Sequence, residues 1–391
     1  MTRAPVNPQM LSWAARQRVG LKRDELVRKF EKLPQWETGE RKPTLKQLEK
    51  FARTVHVPVG YFFLNEFPKE ESPIPDFRTV AGQSVTELSP DLLEMIYACQ
   101  ERQSWYRDFA LATQELELNF IGSAHVSMRP EEIAEGMRET LGLDLVTSKR
   151  CSGTDTLLRL LSKQAEDAGV LVMGSGIVAS NTHRVLDTNE FRGFALVDSL
   201  APLVFINRTD SKTGQLFTLA HELAHLWLGT SALSNVNPES KSEISDQRRE
   251  EIWCNEVAAE LLVPIADLRE SIQENLQEQE ELSKILSRLG KIFKVSKLVL
   301  LRRLLDASYL DRESFEIAWQ NECMNWNISV QSKKSGGDFC RTTLSRVGHK
   351  FAEALIISTL EGQTLYRDAF RMLGVSGAET FNNLARKLKV V

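Results

Sequence analysis

The sequence predicts an α+β protein in which helix dominates, and three observations carry that expectation. Segments with apolar residues three and four apart recur along most of the chain. Short β-branched and aromatic runs, "VLVMGSGIV", "FRGFALVD" and "PLVFINRT", fall close together between residues 170 and 209 and are separated by turn residues. They stand just before an apolar helix, so they read as a small sheet set in a helical frame.

The chain has 391 residues, 42% hydrophobic and 26% charged, the balance of a globular protein long enough for two or three cores. It contains no apolar run near the roughly 20 residues of a membrane span, and "MTRAPVNPQMLSWAARQRVG" lacks a signal-peptide core, so a cytoplasmic protein with no membrane partner is expected. Five scattered cysteines without CxxC spacing argue for reduced thiols. The net charge of -4 makes no global case for nucleic acid, but residues 1–50 carry 12 Lys or Arg against 6 Asp or Glu.

From the N-terminus, Asn7-Pro8 supplies a cap and a proline at the first helical position, and "MLSWAARQRVG" runs to a stop at Gly20. "KRDELVRKF", "LPQWETGERKP" and "TLKQLEKFARTVHV", the last capped by Thr44, complete a small helical bundle over residues 7–62. Trp13, Trp36, Phe51, Tyr61 and Phe62 have the spacing of its core. "NEFPKEESPIPDFR" holds three prolines and reads as a linker. Residues 91–113 make a long amphipathic helix, with shorter ones at "PEEIAEGMRETLGL" and "GTDTLLRLLSKQAEDAGV" before the strands. Helices resume from Gln215 to about Ala307; a polar break with Gly336-Gly337 then precedes a helical C-terminal region.

The chemistry concentrates in "FTLAHELAHLWLG", residues 217–229. On a helix, His221 and His225 share a face and present two imidazoles to one point. Glu222, turned about 100° from the first histidine, can face an attacking water without binding the metal itself. A tetrahedral catalytic site needs a third protein ligand. "REEIWCNEVAAELLVP", residues 249–264, is a second amphipathic helix, and Glu251 is the chosen ligand, with Glu250, Cys254 and Glu256 as alternatives. Asn255, one turn beyond Glu251, suits a role orienting a ligand imidazole. Trp253, Val257, Leu261 and Leu262 turn towards a core. His183 is a candidate oxyanion helper on the ground of its place upstream alone. The run 203–207, "LVFIN", is expected to offer its edge to an extended substrate.

"FTLAHELAHLWLG" together with "EIWCNEVAAELLVP" resembles the ImmA/IrrE family of zinc metallopeptidases. The resemblance implies a zincin-like domain over residues 81–328, with one catalytic Zn2+ on His221, His225 and Glu251 and with Glu222 as catalytic glutamate. Two positions depart from the family pattern: Cys254 stands for its alanine and Val257 for its phenylalanine. "PQWETGERKPTLKQLEKFARTVHVPVGYFF" resembles the end of an Xre-type helix-turn-helix domain, here residues 1–66, joined by a linker at 67–80. It departs from that pattern by lacking about one turn of the recognition helix, and Pro34 stands where that helix would run, so it must mark a start. Weak phosphate contact through the basic surplus is the expected limit of DNA binding. Residues 329–391 resemble the tail of longer members. Relatives cleave a repressor or antitoxin, itself often of helix-turn-helix type, in stress-response or mobile-element regulation. The rival expectation is a DNA- or antitoxin-binding regulator whose metal site is structural or idle.

Overall fold

The computed structural model describes residues 3–17, 23–55, 57–66, 73–74, 79–80, 83–84, 88–234, 246–275, 281–329 and 339–390. Most of the linker 67–80 and the glycine-containing break at 330–338 fall outside these residues. Helices make up 64% of the chain, 18 of them among the described residues, with a small mixed sheet: the α+β, helix-dominant class that the pattern predicts. The chain divides into two compact units, one of residues 1–73, 85–98 and 177–187, the other of 74–84, 99–176 and 188–391.

In the first unit, α1 (Pro8–Gln17), α2 (Arg23–Lys29), α3 (Leu33–Glu37) and α4 (Leu45–Val55) surround a core of Met10, Leu11, Leu26, Leu33, Phe51 and Phe62. The local rules hold at both predicted caps. Asn7 Oδ1 accepts from the Gln9 N–H at 3.0 Å, and Thr44 and Gln47 exchange bonds as a capping box. Pro34 sits in the first turn of α3, where it leaves no internal bond unmade, and α3 is five residues long. Trp36, Phe51 and Phe62 are buried as expected, Phe51 meeting Phe30 edge-on at 5.3 Å, while Trp13 and Tyr61 pack on the core from its margin. Arg23 of α2 grips Glu37 of α3 through both guanidinium nitrogens.

The rest of that unit is residues 85–98, most of them the first turns of a long helix, and a hairpin that reverses at Ala179-Ser180, both at positive φ. Arg184 on the hairpin is buried and reaches Asp91 at 2.6 Å and Glu94 at 2.7 Å.

In chain order, the two-residue strands β1 (Thr79–Val80) and β2 (Gln83–Ser84) pair antiparallel ahead of the long helix α5 (Pro90–Ala112). Helices α6 (Pro130–Leu141), α7 (Leu145–Arg150) and α8 (Thr154–Asp167) lead to β3 (Leu171–Ser175). The hairpin strands are β4 (Ile177–Val178) and β5 (Asn181–Val185); β6 (Gly193–Leu196), β7 (Leu203–Asn207), α9 (Lys212–Leu228) and β8 (Ala232–Ser234) follow. Then come α10 (Asp246–Leu262), α11 (Ile265–Asn275), α12 (Leu282–Phe293), α13 (Lys297–Asp306) and α14 (Arg312–Ser329). Four helices close the chain: α15 (Phe339–Val347), α16 (His349–Leu360), α17 (Tyr366–Leu373) and α18 (Ala378–Leu388).

The main sheet has the order β3-β7-β6-β8, with β7 parallel to β3 and antiparallel to β6. This corrects the expectation for residues 203–207. Both edges of β7 are occupied by sheet partners, because the chain inserts it between β3 and β6, so it has no free edge for a substrate. The residues of β3, β6 and β7 are buried along their whole length, as expected of strands covered on both faces. The large core runs from Ala134, Leu157 and Leu161 through Val204, Leu219 and Leu223 to Leu261 and Leu300.

Candidate metal centre

Three elements make the site. α9 begins at Ser211, whose hydroxyl accepts from the Gly214 N–H at 3.1 Å. It ends at Gly229, which takes the left-handed φ of +77°. The helix is apolar almost all round and is buried accordingly; His221, Glu222 and His225 have no exposed surface. α10 packs alongside α9, burying Trp253, Val257, Leu261 and Leu262 as its spacing predicts and turning Glu251 towards the histidines. β6 closes on α9 from the sheet. A Cβ on Gly193 would lie 2.5 Å from the Thr218 methyl and 3.0 Å from Glu222 Oε1, so the absent side chain is what lets the strand approach the glutamate.

His221 Nε2 and His225 Nε2 lie 3.0 Å apart. Glu251 Oε1 is 3.1 Å from His225 Nε2, and Oε2 is 3.4 Å from His221 Nε2. Ligands held at 2.0–2.1 Å from a tetrahedral zinc stand about 3.3 Å from one another. The two imidazoles and the carboxylate therefore fit zinc in chemistry and in spacing, and they form the only group of three such donors so converged among the described residues. Glu250 and Glu256 stay outside it. Cys254 lies in the apolar core, where burial and the neighbouring carboxylates hold its thiol well above the usual range.

The electrostatics suit a cation. Burial would raise the Glu251 carboxyl, but the two histidines outweigh it and hold the group at about 2, so it is ionised. Burial lowers His225 and favours its neutral ring. Burial also opposes charge on His221, but Glu251, Glu222 and Asn255 outweigh it and raise its affinity for a proton. The carboxylate field that draws a proton to that point draws a metal ion to it equally.

The imidazoles are supported from behind. Asn255 is a polar neighbour that adds to the rise of His221, while its Oδ1 and His221 Nδ1 are both buried without a well-formed hydrogen bond. Thr230, which sequence reasoning passed over, places Oγ1 3.3 Å from His225 Nδ1. Residues 118–124 were also missed. Gly122 and Ala124 donate to the last carbonyls of α9, Leu226 O and Trp227 O, at 3.0 and 2.9 Å, while Phe120 stacks on Trp227. The signal was the pair of glycines, Gly122 and Gly229, both left-handed and so close that a Cβ on Gly229 would lie 2.9 Å from Gly122 Cα. His183 is exposed on β5 in the first unit, its N–H donating to Asn181 Oδ1 at 3.0 Å.

Residues 165–305, which span all three metal-binding candidates, match the model of a peptidase family described as an IrrE N-terminal-like domain, a family that is zinc-dependent in general. The match supports a metallopeptidase-type function. Residues 347–387 match a domain of unknown function, DUF8813. No curated protein and no solved structure matches the chain. Among the described residues, no helix is long and apolar enough to cross a membrane.

Proposed function

We propose that the chain is a zinc-dependent endopeptidase that cleaves one particular protein partner, a helix-turn-helix repressor or antitoxin, in bacterial stress response or the control of mobile elements. The observation that carries the peptidase reading is the convergence of His221, His225 and Glu251 with Glu222 on the same helix. The partner class rests on the family resemblance. Zinc bound by these residues supplies a Lewis acid that polarises the scissile carbonyl and acidifies the attacking water.

The chain's own residues do the rest. Glu222 takes the water proton and passes it to the leaving amine, a transfer for which its carboxylate must stay ionised in the resting site. β6 passes close to Glu222 at Gly193, where an added Cβ would lie 3.0 Å from Oε1. An extended substrate segment pairs with the outer edge of β8, since β7 is enclosed and Ser234 of β8 lies across from Gly193.

Glu222→Gln tests the reading. The variant is expected to bind zinc as the parent does and to lose cleavage of the partner, by at least about 100-fold for removal of a general base. Full biological effect in that variant would favour a binding regulator with an idle metal site and would end the protease reading.

A further inference from the structure

The corner after α9 does more than stop a helix. Gly229 donates to Leu226 O at 3.1 Å and Thr230 donates to His225 O at 3.1 Å, the two bonds of a Schellman motif. The second of these closes on the carbonyl of a candidate metal ligand. The left-handed turn at Gly229 therefore folds the chain back so that Thr230 Oγ1 stands 3.3 Å from Nδ1 of the same residue, His225. An ordinary helix end would carry residue 230 away from that ring.

Which ring nitrogen of His225 carries the proton decides what the ring can bind. Nε2 is the atom that meets His221 and Glu251. To present a lone pair there, a neutral imidazole must hold its proton on Nδ1, and Nδ1–H then needs an acceptor. A threonine hydroxyl can accept it. We propose that Thr230 is a positioning residue: it accepts from His225 Nδ1–H, fixing the tautomer and rotation that aim Nε2 at the metal. The helix cap and the support of the metal ligand are then a single device, spelled by His225, Gly229 and Thr230.

This inference rests on His221, His225 and Glu251 holding zinc, and its test separates the two claims. Zinc affinity of the full-length protein is measured by competition with a chromophoric chelator, alongside the visible spectrum of the cobalt(II)-loaded form and the melting of the metal-free form. Thr230→Val keeps the shape and removes the acceptor; it is expected to weaken zinc about 10- to 100-fold. Thr230→Ser, which restores the hydroxyl, is expected to recover affinity to within a few-fold. Melting of the metal-free valine variant is expected to match the parent.

Wild-type protein that takes up one zinc, with a valine variant that binds it as tightly, overturns the role of Thr230 and leaves the metal centre standing. A valine variant whose metal-free melting falls along with its affinity also overturns it, since a purely structural role predicts that pair. Wild-type protein with no zinc affinity brings down both claims.

Discussion

Residue positions in this protein differ sharply in how much the sequence reveals about them. His221, Glu222 and His225 are legible because helical periodicity alone puts two imidazoles on one face, whereas Glu251 stands beside Glu250, Cys254 and Glu256 on the second helix and is singled out by the family resemblance. Gly193 is not legible in that way: glycine in a strand says that something approaches, and only the tertiary packing says that it is Glu222 Oε1. Gly193→Ala is therefore expected to act on catalysis. The added methyl would lie 2.5 Å from the Thr218 methyl, 2.9 Å from Phe205 O of β7 and 3.0 Å from Glu222 Oε1, so the strand pair and the glutamate must both give. A shift near 1 Å in a reacting group costs on the order of 100-fold in rate. Zinc affinity should stay within a few-fold, because the three atoms nearest the new methyl belong to Thr218, Phe205 and Glu222 and not to His221, His225 or Glu251. Steady-state cleavage measured beside chelator competition checks this, and an equal loss of affinity and rate would point to general collapse of the site.

Elements are legible where one chain segment decides them and obscure where two must meet. The N-caps at Asn7 and Thr44 and the shortening of α3 by Pro34 follow from a few adjacent residues. Residues 203–207 have no free edge because sheet order depends on where β7 inserts, which periodicity does not encode. β8, three residues long, is too short to signal itself. Packing among helices shows the same dependence on distant partners. Glu260 of α10 and Arg303 of α13 form an ion pair with side chains only 8% and 5% exposed, and Arg303 also donates to Val263 O at 2.9 Å. Arg303→Ala leaves Glu260 charged and enclosed, and it is expected to destabilise the fold by about 3–5 kcal/mol in urea unfolding. Replacing both by methionine should recover most of that loss, since neither charge then remains buried. In α2 and α3, the short second helix leaves few side chains to read bases, so duplex binding by the full chain is expected to be weak, indifferent to sequence, and to fall steeply with salt. Sequence preference that survives at 200 mM salt on the scale of specific sites would contradict that expectation.

At the scale of the whole molecule, the C-terminal helices belong to the same compact unit as the metal centre, a fact that no motif in their sequence announces. β3 is an outer strand of the sheet, and the corner between α15 and α16 closes on it: Gly348 at φ +83° leaves only 2.8 Å between a would-be Cβ and Val172 O. A sheet edge covered by helices cannot recruit another strand, and among the described residues β8 is the outer strand at the other end of the sheet. The junction carries its own titratable group. Glu166 of α8 accepts from the first N–H groups of α16, His349 at 2.6 Å and Lys350 at 3.2 Å, yet burial pushes its carboxyl up to about 7, with Asp167 adding to the rise and Lys350 opposing it. Below about pH 4.5 this group holds its proton in both the folded and the unfolded chain and makes no difference to stability. Between 4.5 and 7 the unfolded chain releases the proton while the folded one keeps it, so stability falls as pH rises; above 7 both are ionised and the loss is constant. The full loss is on the order of 3 kcal/mol. Glu166→Gln keeps an acceptor for both N–H groups and removes the ionisation. Urea midpoints taken from pH 4 to pH 8 are expected to show the variant gaining on the parent as pH rises, with the gap level beyond about pH 7. Parallel profiles would mean that Glu166 is ionised at the junction throughout this range and that α16 is held there by charge and not by a neutral cap.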